Sequence, residues 1–372
     1  MRCTLAMMVW VVLLAGCVAG PAKQSNSELA KAFAASLVGD VSLSYASGGA
    51  TAPFNVSILL FDVAADDAKI SRIYAPIRNA EAAYLPVVLK KTLDESGHWG
   101  AVSVVPSRDT ASEVFVHGTI IESTSLQLVL NLEVSDSRGE IWFTRTYRDL
   151  ADPTSYDIDV TLTADPFQDL FDQVANDMSE YLAQIDTAGS EAIFDTAMLR
   201  YAMLLSPEAF SGYLQTNAEG RIDLMGLPAR NDPLYQRVRQ IRSREYAVQD
   251  VVDEHFDNFF ADMAKVYPYW RQSSYELIAY NNQIELKRSS GRGDSWREVE
   301  RVYRLYKERK LNEDELRELA TSFEREIKPT VAELEGRVIE LQGSLFDQYK
   351  TWRRILREIY RETVGVPAAN GG

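Results

Sequence analysis

Apolar positions recur in two rhythms along the chain, and one gives way to the other near residue 186. In the first part, residues 54–63 read as a strand with apolar side chains on both faces, Val56, Ile58 and Leu60 against Leu59 and Phe61. That pattern predicts a central strand covered on each side. Ile77, Ala80, Tyr84 and Val87 then return at helical spacing, and this helix runs to Gly97. A strand over 101–105 ends at Pro106, and three more follow over 114–121, 126–134 and 140–147. The middle one alternates cleanly, with Leu126, Leu128, Leu130, Leu132 and Val134 on one face and Gln127, Asn131 and Glu133 on the other. The turn Asp136-Ser137-Arg138-Gly139 closes it onto the last strand, so the three form an antiparallel meander. Asp165-Pro166 predicts an N-cap with proline at the first helical position, followed by the stripe Phe167, Leu170, Phe171, Val174, Met178, Tyr181 and Leu182. The order strand, helix, four strands, helix predicts one sheet with helices packed against it.

After residue 186 the pattern is helical almost throughout. Segments 191–205 and 207–215 are short and 226–232 is a break. From 233 to 287 the periodicity is long, with Leu234, Val238, Ile241, Val248, Val252, Phe256, Phe259 and Met263 on one side. Pro268 predicts a kink or interruption, because proline removes a backbone donor and clashes with the preceding turn. Gly291 and Gly293 end the segment. Another helix is expected over 294–310, and Asn312 caps a final long one reaching Thr363 with a second kink at Pro329. There Val331, Leu334, Val338, Leu341, Leu345, Trp352, Ile355 and Ile359 alternate steps of three and four residues, with Gln348 in one polar slot, a coiled-coil seam of about four heptads. Its partner is the 233 helix folded back as an antiparallel hairpin, the preferred reading, or a second chain in a homo-oligomer joined through Val331 to Ile359. The expected fold class is α+β: an α/β sheet domain with an antiparallel meander over 54–186, then an all-α long-helix hairpin or coiled-coil domain over 187–366, and a tail over 367–372.

The amino terminus carries the most specific signal. Met1-Arg2 is a positive start, residues 5–14 are an unbroken apolar run, and Ala15 and Gly16 lead into Cys17. That is a secretory signal over 1–16. A membrane-spanning helix is the rival, but the apolar stretch before Pro21 reaches roughly 24 Å against a hydrocarbon core of roughly 30 Å. Leu14-Ala15-Gly16-Cys17 resembles the lipobox of bacterial lipoproteins, in which the thiol becomes the thioether to diacylglycerol. The resemblance implies lipidation at Cys17, stable anchoring by two or three acyl chains, and a protein that sits on a membrane. Val18 stands where the enterobacterial sorting pattern places Asp for inner-membrane retention, which implies the periplasmic face of the outer membrane. With Cys3 in the leader and Cys17 acylated, no thiol remains for a disulfide, a nucleophile or a zinc ligand. Residues 17–53 read as the lipidated cysteine and a flexible tether, interrupted by a short amphipathic helix over 28–38.

Composition adds limits. The chain has 372 residues, 46% hydrophobic and 25% charged, with net charge −15, which suits one or two globular domains. That charge argues against nucleic acid as a partner, since neutralising phosphates requires clustered Lys and Arg. Candidate chemistry is sparse. The three histidines, His98, His117 and His255, offer no pair at zinc-ligand spacing. Asp253 and Asp257 around His255 make a weak cation site conceivable, with a solvated acidic turn the preferred reading. Neither a Gly-x-Ser-x-Gly elbow nor a Ser-x-x-Lys set occurs, and Ser290-Gly291-Arg292-Gly293-Asp294 lacks the phosphate-loop lysine. Carboxylates such as Asp66, Asp67 and Glu95 are glycan-cleaving candidates only because acidic residues are abundant. No catalytic residue, metal ligand or cofactor is therefore assigned. The cluster Tyr267-Pro268-Tyr269-Trp270 is expected mainly as helical core. Any part exposed beside the proline becomes a partner-docking patch of Tyr267, Tyr269, Trp270 and Arg271.

The strand Phe54-Asn-Val-Ser-Ile-Leu-Leu-Phe-Asp62, the helix end Leu89-Lys-Lys-Thr-Leu-Asp-Glu-Ser-Gly97, Val102-Ser-Val-Val-Pro106 and Val114-Phe-Val-His-Gly-Thr-Ile120 carry a further resemblance. Their order resembles the α/β domain of the curli secretion lipoprotein, the lipoprotein activators of penicillin-binding proteins and the amino-terminal domain of TolB. It covers about a third of the chain and is a likeness of fold, so it implies no site. The loops are too short for the membrane-inserted hairpins of a secretion pore. The expected function is a non-enzymatic lipoprotein, an accessory or scaffold subunit of an envelope protein complex serving cell-wall synthesis, lipid transport or export. The alternatives are a small-ligand or envelope-polymer binding module and a carboxylate-dependent hydrolase.

Overall fold

The computed structural model describes residues 36–47, 54–64, 70–106, 108, 112–156, 165–289, 296–325, 330–334 and 337–364. The leader, Cys17, Asp66, Asp67, Gly291, Gly293, Pro329 and the tail lie outside them.

Seven strands form one sheet: β1 (Ser36–Leu37), β2 (Val56–Leu59), β3 (Asp62–Val63), β4 (Val102–Val105), β5 (Val114–Ser123), β6 (Gln127–Asp136) and β7 (Ile141–Leu150). The order is β1-β7-β6-β5-β2-β4, with β3 also on β5. Strands β5, β6 and β7 are the expected antiparallel meander, and β2 lies parallel between β4 and β5. Gly139, at φ +78, closes the β6–β7 turn in a conformation that a Cβ would strain. Opposite Leu130, Leu132 and Val134 of β6 stand Ile120, Gly118 and Val116 of β5, making one apolar face. Helices α1 (Ile70–Ser96) and α2 (Gln168–Leu182) pack together on it, and the buried Tyr147 hydroxyl donates to Asp177 of α2 at 2.7 Å. Helix α2 starts two residues after Pro166, because Asp165 closes a local turn by accepting from the Phe167 amide at 2.9 Å.

The chain before Phe54 is not tether throughout. Residues 36 and 37, expected as the end of a helix, form a strand parallel to β7. Residues 41–46 are strapped down: Asp169 accepts from the Val41 amide at 3.2 Å, Asn176 from the Ser44 amide at 2.8 Å, and the Ser96 carbonyl from the Ala46 amide at 2.9 Å.

Beyond α2 come α3 (Thr187–Leu205), α4 (Pro207–Phe210) and a small hairpin of β8 (Leu214–Thr216) and β9 (Ile222–Leu224). Then follow α5 (Pro233–Ser289), α6 (Trp296–Arg325), a second hairpin of β10 (Thr330–Leu334) and β11 (Arg337–Leu341), and α7 (Leu345–Val364). The long-helix hairpin is present, but its second arm is α6, which runs straight through Asn312. Phe323 packs on Phe256 and Phe259 with ring centroids 5.4 and 4.3 Å apart.

Two expectations are corrected. Helix α5 is continuous through Pro268, so the expected interruption is absent there. A mid-helix proline costs about 3 kcal/mol, and burial of Met263, Val266, Tyr267 and Trp270 on both sides of it offsets that at roughly 1.5–3 kcal/mol for each large apolar side chain. The final long helix does not exist, and with it goes the seam. Val331, Leu334, Val338 and Leu341 lie on β10 and β11, and Val331 and Val338 are 63% and 75% exposed. Pro329 disfavours helix in the residue before it, β-branched Thr330, Val331, Val338 and Ile339 favour strand, and Gly343 takes φ +98 before α7. No continuous helical face joins Val331 to Ile359, so that route to a homo-oligomer is withdrawn. Among the described residues no helix is long and apolar enough to cross a membrane.

Candidate functional site

The aromatic cluster on α5 is mostly interior. Tyr267, Trp270 and Arg271 are each 1% exposed, and of the four docking candidates only Tyr269, at 56%, faces solvent. One turn apart on α5, Tyr267 and Arg271 reach the same place, where α1 presents Arg78 and Glu81. The Glu81 carboxylate, fully buried, accepts from Arg78, from the Tyr267 hydroxyl and from Ser123 Oγ at 2.7 Å, and Arg271 Nη2 lies 3.6 Å away. Arg271 also donates to the Thr124 carbonyl and to Ser123 Oγ at 3.0 Å. Its guanidinium lies 4.6 Å from the ring centroids of both Phe167 and Tyr267. Burial pushes the Tyr267 hydroxyl well above its ordinary value, and the nearby Glu81 charge adds to this although Arg271 opposes it. So many partners on so few groups satisfy a buried charge, and the constellation is closed to a substrate. It ties α5 to α1 and to the end of β5.

A second tie sits at the other end of β5. Arg242 Nη2 donates to the fully buried Glu113 at 2.6 Å, and Glu113 also accepts from the Asn55 amide at 2.9 Å. Between the two ties Asp253 accepts from Ser103 Oγ at 2.9 Å and from the Val104 amide at 3.3 Å. Burial pushes its carboxyl up to about 6. Asp257 pairs with Lys91 at 3.2 Å. These two acids thus face β4 and α1, while His255 lines a different cavity with Glu254 and Asp262, so the conceived cation site around His255 is not assembled. Among the described residues no group of three or more His, Cys, Asp or Glu side chains is disposed to hold a metal. His117 pairs with Asp62 at 3.0 Å on the polar face of the sheet, and Glu95 accepts from the Tyr45 hydroxyl at 3.1 Å.

The open candidate is a groove between α3 and α7 with a cavity of about 600 Å³. Its floor is Tyr201, Leu205, Tyr349 and Leu356, all buried, and Phe346 is 52% exposed at its mouth. Lys350, Arg353, Arg354 and Arg357 line it on the α7 side, against a single acid, Asp347. The spacing of 350, 353, 354 and 357 places all four cations along one helix face. Asp347 is engaged at the start of α7, accepting from Ser344 Oγ at 2.6 Å while Ser344 accepts from the Asp347 amide at 3.2 Å. The guanidinium groups are positioned: Arg357 Nε donates to the Leu204 carbonyl at 2.9 Å, Arg353 to the Tyr349 hydroxyl at 3.0 Å, and Arg354 to Glu358 at 2.9 Å. A guanidinium has five N–H donors, more than the one bond named for each of Arg354 and Arg357, which are exposed along the groove. The arrangement sets four cations beside an apolar floor, a chemistry that suits an anionic group.

No family model matches the chain, and no curated protein is similar to it. Two solved chains match. One is protein XCC0632 from Xanthomonas campestris, described with the family model DUF330, at 10% identity, covering 42% of this chain and 97% of that one with a TM-score of 0.21. A likeness at that score establishes neither fold nor function.

Proposed function

We propose that the chain is a non-enzymatic, periplasm-facing lipoprotein, held to the outer membrane through Cys17 and acting as an accessory or scaffold subunit of an envelope machine for cell-wall synthesis, lipid transport or export. The address rests on Leu14-Ala15-Gly16-Cys17. The docking role rests on one structural observation, the cation-lined groove between α3 and α7 in a chain whose net charge is −15. An acidic, apolar segment of a partner subunit fits that groove, because its apolar side chains cover the floor while its carboxylates meet Lys350, Arg354 and Arg357. The richest titratable cluster, around Glu81, supports a scaffold over a catalyst because its groups are consumed in holding the fold.

The test is affinity capture of the lipidated protein from envelope membranes, comparing the native chain with Lys350→Glu/Arg354→Glu. A stoichiometric partner lost in the variant supports the reading. Recovery of no partner, or of the same partner at the same yield, counts against it. Mass spectrometry of the mature amino terminus checks the address separately, and an intact leader or unmodified Cys17 sinks it. A small anionic ligand is the second reading. The groove volume of about 600 Å³ lies within the roughly 300–1,000 Å³ of small-molecule sites, and co-purification of a lipid or metabolite displaced by the same double substitution would favour it.

A further inference from the structure

We infer that the first three turns of α6 are a membrane-surface contact that takes anionic lipid. Trp296, Val299, Tyr303 and Tyr306 recur along the first three turns of α6 at steps of three and four, which sets them on one helix face. They are 81%, 50%, 69% and 48% exposed. The face turned to the body of the protein is a separate one, carrying the buried Leu305, Glu313 and Leu316. Four large side chains in a row, about half or more exposed although the Arg309 guanidinium lies 5.6 Å from the Tyr306 ring centroid, mark an interaction surface.

Residue type and charge identify the occupant. Trp and Tyr are the side chains that settle at a membrane–water boundary, apolar body inward and polar edge outward. Arg297, Arg304 and Lys307 are exposed beside the stripe, with Glu300 among them, and their long stems let charge reach headgroups while the stem lies on apolar surface. From residue 285 to 310 there are nine basic and five acidic side chains, the reverse of the chain as a whole. A second copy of this chain would bring the same cations against one another. An anionic bilayer instead supplies both the opposite charge and the apolar layer. With no spanning helix among the described residues, α6 lies along the boundary. This contact does not depend on acylation of Cys17 or on the α3–α7 groove.

The protein carries its own probe. Trp99, Trp142, Trp270 and Trp352 are at most 7% exposed, whereas Trp296 is 81% exposed. The chain from Val18 onward, which retains every described residue and has no acyl group, is mixed with vesicles of phosphatidylglycerol and phosphatidylcholine, or of phosphatidylcholine alone, some made with brominated acyl chains. The expected result is flotation with the anionic vesicles only, with quenching of Trp296 emission by the brominated lipid. Trp296→Ser/Tyr303→Ser, both at exposed positions, should weaken partition at least about tenfold, as removal of interfacial apolar area requires, with an unchanged circular dichroism spectrum and melting temperature. Arg304→Glu/Lys307→Glu should lose the anionic preference while still quenching at high lipid. Failure to float, equal flotation of the Ser variant, or self-association that buries Trp296 without lipid overturns the inference. So does protection of Trp296 by an acidic protein partner in the absence of vesicles.

Discussion

Arg271 on α5 and Arg354 on α7 are the same residue in opposite circumstances, and the contrast separates what holds this protein together from what it offers to others. Arg271 is 1% exposed among Glu81, Tyr267, Ser123 and the Phe167 ring, while Arg354 sits at the lip of a groove with one surface partner, Glu358. Removing water from a charge costs several kcal/mol, so the first arrangement exists only because each group has several partners. The second incurs no such cost and so remains free to exchange partners. Arg271 is a fastener, while Arg354 is the arginine left for the proposed partner.

The sharpest way to break that contrast is to remove one fastener. Arg271→Met should lower the unfolding free energy by about 3–5 kcal/mol, as expected when one partner of a buried charge is deleted, and Glu81→Gln in the same chain should recover part of it. Urea titration followed by circular dichroism checks both. If Arg271→Met is neutral, the network is not structural and the distinction fails. Gly118→Ala tests packing alone. Its Cβ would lie 2.5 Å from the Phe61 ring and 2.8 Å from Leu132, and overpacking of that kind costs about 1–3 kcal/mol, read as a lower urea midpoint at unchanged slope.

Asp253 gives a smaller effect with a definite sign. Its carboxyl is raised from 3.8 to about 6 in the fold, burial being the main cause, so between those values the folded chain holds a proton that the unfolded chain releases. Its contribution to stability therefore falls as pH rises through that window, and the penalty is complete above it. Asp253→Asn should be the more stable protein at about pH 8 and should flatten this part of the pH profile, measured as urea midpoints across the range. At the small end, Arg354→Ala should shift stability by less than about 0.5 kcal/mol, because an exposed ion pair contributes little. The same substitution should weaken partner capture, and a large stability loss would place Arg354 among the fasteners instead.

The sheet was readable from the sequence because alternation in 126–134 matches the period of a strand and nothing else of that length. From Val331 to Leu341 the apolar pattern points to helix while the chain forms strands, because a strand hairpin with apolar residues at 331, 334, 338 and 341 imitates the three-four rhythm of a helix. Pro329, the β-branched run and Gly343 were the signals that should have decided it. The basic face of α7 is legible as Lys350, Arg353, Arg354 and Arg357 at helical spacing, but the groove is not, because its other wall is Tyr201, Leu204 and Leu205 of α3. Which arginine is sealed and which is open was not readable. Tyr267 and Arg271 are fixed by hydrogen bonds to residues 186 and 147 positions away, and no local pattern encodes a meeting at that distance.

Helix α5 is held at Arg242, Asp253, Arg271 and Tyr275, whose ring stacks on Tyr156, and then runs on from Tyr275 to Ser289, a length of about 21 Å at the rise of an α-helix. It is therefore a lever with its fulcrum in the sheet. A load applied at the far end, by a bilayer or by another subunit, would be borne first where Tyr275 stacks on Tyr156 and next by Arg271 and Glu81.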